Sequence, residues 1–382
     1  MLINPAFVFI FVWSLSLFLY TRYYSNIFLP LSDFTLNYLV AANVSVILSW
    51  LLFVVISGRL YLRKIVPAEL VQFSLHARIK IKMLLYFGIF LFLLEVVYFR
   101  DLPILAVFGL GVITYQDFGI PSLHGFLNAI VLSLSMYSLY NYLRTNRKIY
   151  ILYYLLTLLV PIVGMNRGGL TSMLVQSFFV ILVFRGLSFR LLIKLMVFFV
   201  LFVFIFAWFG ENRTLGLGEQ VYDVFNISDN FPEWLPKGTI WVYMYLTSSL
   251  NNIENVINSY SLLNFEPYKA MFGLIPSFIR DALDQPVKVD LVLSAFNVSS
   301  FMPNYLSAFG VIGSLFFYFL ASLFPMYIFY AYAKRRSLVH GFVLVILLHS
   351  IALSVFSDFF AIQVYVFQML LQFVIFLRIK GF

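Results

Sequence analysis

Arg167 stands in "GMNRGG", residues 164–169, between the apolar runs "IYILYYLLTLLVPIV" and "LTSMLVQSFFVILVF". A guanidinium stays charged and can hold an anion through two parallel N–H bonds. A charge set so close to hydrocarbon is costly and marks a site worth explaining. The next apolar run begins at this turn, so the free N–H groups of a helix N-terminus would face the same point, a ready anion site. Gly168 and Gly169 would let backbone approach closely and take unusual dihedrals. The alternative is an arginine that snorkels to the interface or pairs with Asp358 or Glu211. Arg213 in "GENRTLGLGEQ" and Arg280 in "PSFIRDALDQP" invite the same anion-binding reading. Each has an acid beside it, Glu211 and Asp281. Each can therefore equally be a surface ion pair, worth about 0–1 kcal/mol.

The elements that must position these groups are read from composition and charge. The chain has 382 residues, of which 63% are hydrophobic and 11% charged, with a mean hydropathy of +0.96. A soluble domain carries about 25% charged residues. Apolar runs of membrane-spanning length recur along the chain. We count ten, at 4–20, 37–57, 82–98, 122–142, 149–165, 169–184, 191–209, 305–328, 339–356 and 359–377. The first lacks a basic leader and a small-residue cleavage site, and reads as a retained helix. Twenty aromatic residues per hundred suit lipid-facing surfaces and interfacial belts. Cysteine is absent, which removes disulfides and thiolate metal sites.

Most Lys and Arg fall in alternate loops, at 59–82, 144–148, 185–194, 334–336 and 378–380. The positive-inside rule then makes those loops, and both termini, cytoplasmic. The net charge of +9 is thus explained by topology rather than by a nucleic-acid partner. Acids were not used in the assignment, and nearly all fall on the opposite face; Glu69 and the intramembrane Glu95 are the exceptions. The expected architecture is all-α, a single polytopic membrane domain over residues 1–382 with about ten spans. A large outer loop covers 210–304, and a smaller outer element, 100–121, is re-entrant or surface-lying. Within the large loop, Val242, Leu246, Leu250, Ile253, Ile257 and Tyr260 recur at helical spacing, which predicts an amphipathic helix. "PYKAMFGLIPSFIRDALDQP" predicts two short helical turns broken at Pro276.

The "NRGG" turn, "ENRT", "KGTIWVYMYLTSSLNN" and the Tyr305, Gly310, Gly313 pattern of "NYLSAFGVIGSLFFYFL" resemble the Wzy-type O-antigen polymerases. These bacterial oligosaccharide repeat-unit polymerases are related in plan to the O-antigen ligases. The resemblance covers the whole chain as architecture and short motifs as sequence. It implies a GT-C-like helix bundle in the bacterial inner membrane. The implied activity is glycosyl transfer on the periplasmic face: a growing chain passes from undecaprenyl pyrophosphate onto a new lipid-linked repeat. The implied partners are undecaprenyl-pyrophosphate-linked oligosaccharides, membrane lipid and a chain-length regulator; no nucleic acid or cofactor is implied. Carried onto this chain, the arginines would be Arg167, Arg213 and Arg280; the large-loop spacing departs from the family's arginine-and-glycine motifs, most of all at Arg280. An O-antigen ligase or a lipid-linked oligosaccharide flippase is the alternative.

Such a reaction needs charge stabilisation at the leaving pyrophosphate, which arginines and a helix N-terminus can supply. No Asp-x-Asp pair occurs, so a metal-independent reaction is expected. The acceptor hydroxyl needs a base. Asp358 in "FSDFF" and His124 in "PSLHG" are the leading candidates, with a helix cap and a packed histidine as the plainer readings of each. Gly168, Gly169, Glu211, Asp281 and Tyr305 complete the expected substrate contacts. Trp241, Tyr245 and Asn252 join them, because aromatic rings beside amides suit either a glycan groove or an interfacial helix.

Overall fold

A computed structural model describes residues 3–58, 70–186, 225–235, 237–275 and 298–376, with scattered positions between. The described residues are helical; their only β pairings are isolated bridges, Ser25 with Ile227 and Ser300 with Ser357. In chain order the principal helices are α1 (Pro5–Tyr20), α2 (Asp33–Ser57), α3 (Leu75–Phe99), α4 (Leu123–Thr145), α5 (Ile149–Val163), α6 (Arg167–Phe184), α7 (Ile240–Ile257), α8 (Met302–Arg335), α9 (Leu338–Ala352) and α10 (Gln363–Phe376). Among the described residues, α2, α3, α4, α6 and α8 are long and apolar enough to cross a membrane, and α1, α5, α9 and α10 are shorter apolar helices. The expected span at 191–209 lies mostly outside the described residues. The protein is a helical, membrane-embedded one: only 17% of the apolar window of α3 is buried by protein, a surface that water would not tolerate.

Helix starts follow local chemistry. The Asn4 side chain accepts the Ala6 N–H with Pro5 at the first helical position, and Ser32, Ser74 and Asn166 cap α2, α3 and α6 through Thr35, Ala77 and Gly169. Arg100 and Asn146, both left-handed, close α3 and α4.

The chain clusters into two compact units. Unit 1 comprises 1–62, 192–327 and 350–361; unit 2 comprises 63–191, 328–349 and 362–382. In unit 1, α7 packs along α1. The sequence predicts a helix with one apolar face here; the observed helix is buried on its polar side too, where Ser248, Asn251 and Asn252 are enclosed by protein. Of the two short helical turns expected about Pro276, the first is a short helix, Pro267–Ala270, followed by a 3-10 turn at Phe272–Leu274; Pro276 and most of the second lie outside the described residues.

Helix α8 is broken at Gly310, whose φ of 72° and ψ of −177° are non-helical. The segment before the break folds back on the rest: Tyr305 and Phe309 stack on Phe317 at 4.7 and 4.9 Å. Residues 261–266 satisfy the backbone that the break frees. Val311 and Ile312 N–H donate to Ser261 and Leu262 carbonyls, and Asn264 and Glu266 N–H donate to Phe309 and Ala308 carbonyls. Such backbone exchange is what makes a broken helix tolerable in lipid.

In unit 2, α4 is central, packed by α3, α5, α6 and α10. A ladder of buried polar side chains fixes the register of α10. The Gln176 and Gln368 amides bond reciprocally at 2.9 and 2.8 Å, Ser172 meets the Tyr365 hydroxyl at 2.7 Å, and Gln372 accepts from Tyr137 and donates to Ser133. His349 of α9 lies with its ring 4.8 Å from that of Tyr365. The 100–121 element is a single helical turn, Pro103–Val107, and a loop organised by Asp101. The Asp101 carboxylate accepts from the Leu102, Val112 and Ile113 N–H groups, which hold it below the usual carboxylate range.

The Asn166 cap gives a first expected outcome. Asn166→Ala should lower the thermal midpoint of the detergent-solubilised protein, a loss of about 1 kcal/mol, and Asn166→Asp should restore it. An unchanged midpoint in the alanine variant would deny the cap its role.

Candidate functional site

The ladder sets α4, α6 and α10 parallel. Ser172 and Gln176 of α6 meet Tyr365 and Gln368 of α10 in the same order, while Phe126 and Tyr137 of α4 meet Phe367 and Gln372. The N-termini of all three helices therefore gather at one end of unit 2, a region of positive potential. Arg167 is the first residue of α6 and is half-buried there. Gly168 and Gly169 occupy the first helical turn with ordinary helical backbone, so the unusual dihedral expected of them is absent; Met165 takes it, with φ 50°. A Cβ on Gly169 would sit 3.2 Å from the Asn166 side chain, so its small size serves the cap.

His124 lies at the start of α4, at the same end. Its Nδ1 is 3.0 Å from Glu95 Oε2, in the last turns of α3. Glu95 is fully buried, and 28% of the His124 side chain is exposed. Glu95 Oε1 accepts the Ile120 N–H at 3.2 Å. Gly119, at φ 118°, passes so close to the ring that a Cβ would sit 2.5 Å from His124 Cγ. In the sequence Glu95 is only a charge inside a span; a lone intramembrane carboxylate is the signal there for a partner.

Asp358 belongs to unit 1 and is 4% exposed. Its carboxylate accepts from Asn304 Nδ2, the Tyr305 hydroxyl and the Phe360 and Ala361 N–H groups. The two N–H groups belong to the turn that precedes α10 at Gln363, and Asn304 is a partner the sequence did not foresee. Burial pushes the carboxyl up to about 6, against the hydrogen bonds that favour its charged form. The folded state thus keeps the proton to higher pH than the unfolded chain does. Stability conferred by this group is greatest below about pH 4 and falls as pH rises through 6, by roughly 3 kcal/mol at most. Asp358→Asn should flatten that slope in thermal midpoints recorded from pH 4 to 7; an unaltered slope would assign it elsewhere.

Trp241 packs edge-on against Phe225, with ring centroids 4.8 Å apart, and is buried; Asn252 is buried with its Nδ2 on the Val298 carbonyl. Neither presents itself as a surface contact for a sugar, because the helix that carries them is enclosed. Tyr245 is half-buried beside Phe356, and Tyr305 is buried between Phe317 and Asp358. Arg213, Glu211, Arg280 and Asp281 lie outside the described residues. Unit 1 also carries a partly open apolar pocket of about 280 Å³, lined by Phe9, Phe301, Tyr305, Tyr318 and Met326 among others. The structure therefore pairs His124 with Glu95 in unit 2, with Arg167 on a neighbouring helix at the same end, and joins Asp358 to Tyr305 and Asn304 in unit 1.

No family model, curated protein or solved structure matches the chain.

Proposed function

We propose that the protein is a polysaccharide polymerase that acts on polyprenyl-pyrophosphate-linked repeat units at the periplasmic face of the bacterial inner membrane. The reading takes the chain as a GT-C-like bundle of about ten spans with both termini cytoplasmic. The observation that carries it is Arg167, set at the N-terminus of α6 where the α4 and α10 N-termini also gather. A cation and three helix dipoles at one end suit a pyrophosphate, whose negative charge grows as it leaves. In the reaction, an acceptor sugar hydroxyl attacks C1 of the donor chain. The C1–O bond to pyrophosphate breaks with its electron pair, a new C–O bond forms, and the hydroxyl proton passes to a base. His124 suits that role better than Asp358, whose carboxylate is enclosed and already accepts from four donors.

The test is lipopolysaccharide banding in the source strain with the gene deleted and then restored. Collapse of the ladder to core plus one repeat supports a polymerase. Loss of even the single repeat points to the alternative, a ligase or flippase. A reporter fused at residue 260 should read as periplasmic; a cytoplasmic signal would overturn the topology.

A further inference from the structure

We infer that Glu95 is the positioning residue for His124, fixing the imidazole so that Nε2 is the atom offered to substrate. The inference rests on the glycosyl-transfer reading for what His124 does, and on geometry alone for how it is held. Glu95 spends one carboxylate oxygen on the Ile120 N–H and the other on His124 Nδ1. With Glu95 ionised, its oxygens only accept, and Nδ1 then carries the proton and donates it. Nε2 makes no hydrogen bond among the described residues, and the ring reaches the surface while Glu95 does not. Gly119 and the edge of Phe118 close the other sides of the ring. Helix α10 approaches the next residue, Gly125, through Val364. Among the described residues no second titratable group is bonded to the ring.

The arrangement sets out one proton transfer. The acceptor hydroxyl gives its proton to Nε2 as its oxygen bonds to the donor C1 and the pyrophosphate departs with the electron pair of the broken bond. The imidazolium so formed is stabilised by the Glu95 carboxylate, then returns its proton to water. Glu95 touches no substrate; it acts by selecting the tautomer and favouring the charged ring, the role that a buried carboxylate plays behind a histidine base elsewhere.

The experiment has two readouts. Nitrogen-15 NMR of labelled histidine in the intact protein in nanodiscs, assigned by difference against His124→Gln, reports the tautomer above pH 8. The expected result is Nδ1–H in wild type and a shift to Nε2–H in Glu95→Ala. An Nε2–H tautomer in wild type overturns the inference without any variant. The second readout is the rate of polymer formation from purified lipid-linked repeats. Glu95→Gln should slow turnover by about 10- to 1,000-fold. Turnover within twofold of wild type overturns it. If wild type forms no polymer, the polymerase reading falls, and the tautomer alone decides how His124 is held.

Discussion

Arg167→Ala, returned to a deletion strain, is expected to leave lipopolysaccharide at core plus one repeat while the protein accumulates in the membrane in normal amounts. The residue stands on the first turn of α6, after a cap made by Asn166, so its side chain is not needed to start the helix. Alanine is itself a strong helix former. What the change removes is a fixed positive charge at the end of unit 2 where three helix N-termini gather. A single donor aimed at charge that develops in a transition state is worth about 10²- to 10³-fold in rate. Arg167→Lys keeps the charge and loses the planar fork, so a shortened or faint ladder is expected. A full ladder in the alanine variant would separate Arg167 from the chemistry and leave it as an interfacial anchor.

Gly310→Ala is expected to cost more in folding than any other single change named here. At φ 72° an alanine is strained by about 1–3 kcal/mol before any contact is considered. Its Cβ would also sit 2.6 Å from the Ser261 carbonyl oxygen and 2.8 Å from Leu262 and Leu263 backbone atoms. Backbone cannot rotate away as a side-chain tip can. Relief would have to part residues 261–266 from α8, exposing carbonyl and N–H groups on both. The thermal midpoint of purified Gly310→Ala should fall sharply, and its yield with it. Gly125→Ala is the control, because its Cβ would meet only Val364 at an ordinary 3.8 Å. Equal midpoints for the two variants would mean that the break does not depend on glycine.

The apolar helices were readable because lipid imposes one simple rule, enough consecutive apolar residues to cross it. The same rule hides a break inside a run. Residues 305–328 read as one continuous span, whereas Tyr305 lies before the interruption at Gly310 and stacks back on Phe317. What permits the interruption is backbone from 261–266, and no local pattern announces a partner that far away. The Glu95–His124 pair was half-legible: each residue stood out alone, but twenty-nine residues of chain separate them. The paired glycines of "NRGG" invited a tight turn, and the left-handed residue is instead Met165. The polar side of α7 read as a glycan groove or the face of an interfacial helix because periodicity reports that a face is polar and is silent on what covers it. Asn252 reaches the Val298 carbonyl inside the protein.

The side-chain ladder on α10 bears on how the chain is made. Residues 363–376 are synthesised after every helix they bond to, and until they arrive Ser133, Tyr137, Ser172 and Gln176 lack the partners they have in the finished unit. A nascent chain stalled before residue 363 would present those groups to hydrocarbon or to one another. The packing of α4 against α6 is thus completed by a helix made long after both, and truncation before residue 363 should lower the thermal midpoint of the protein.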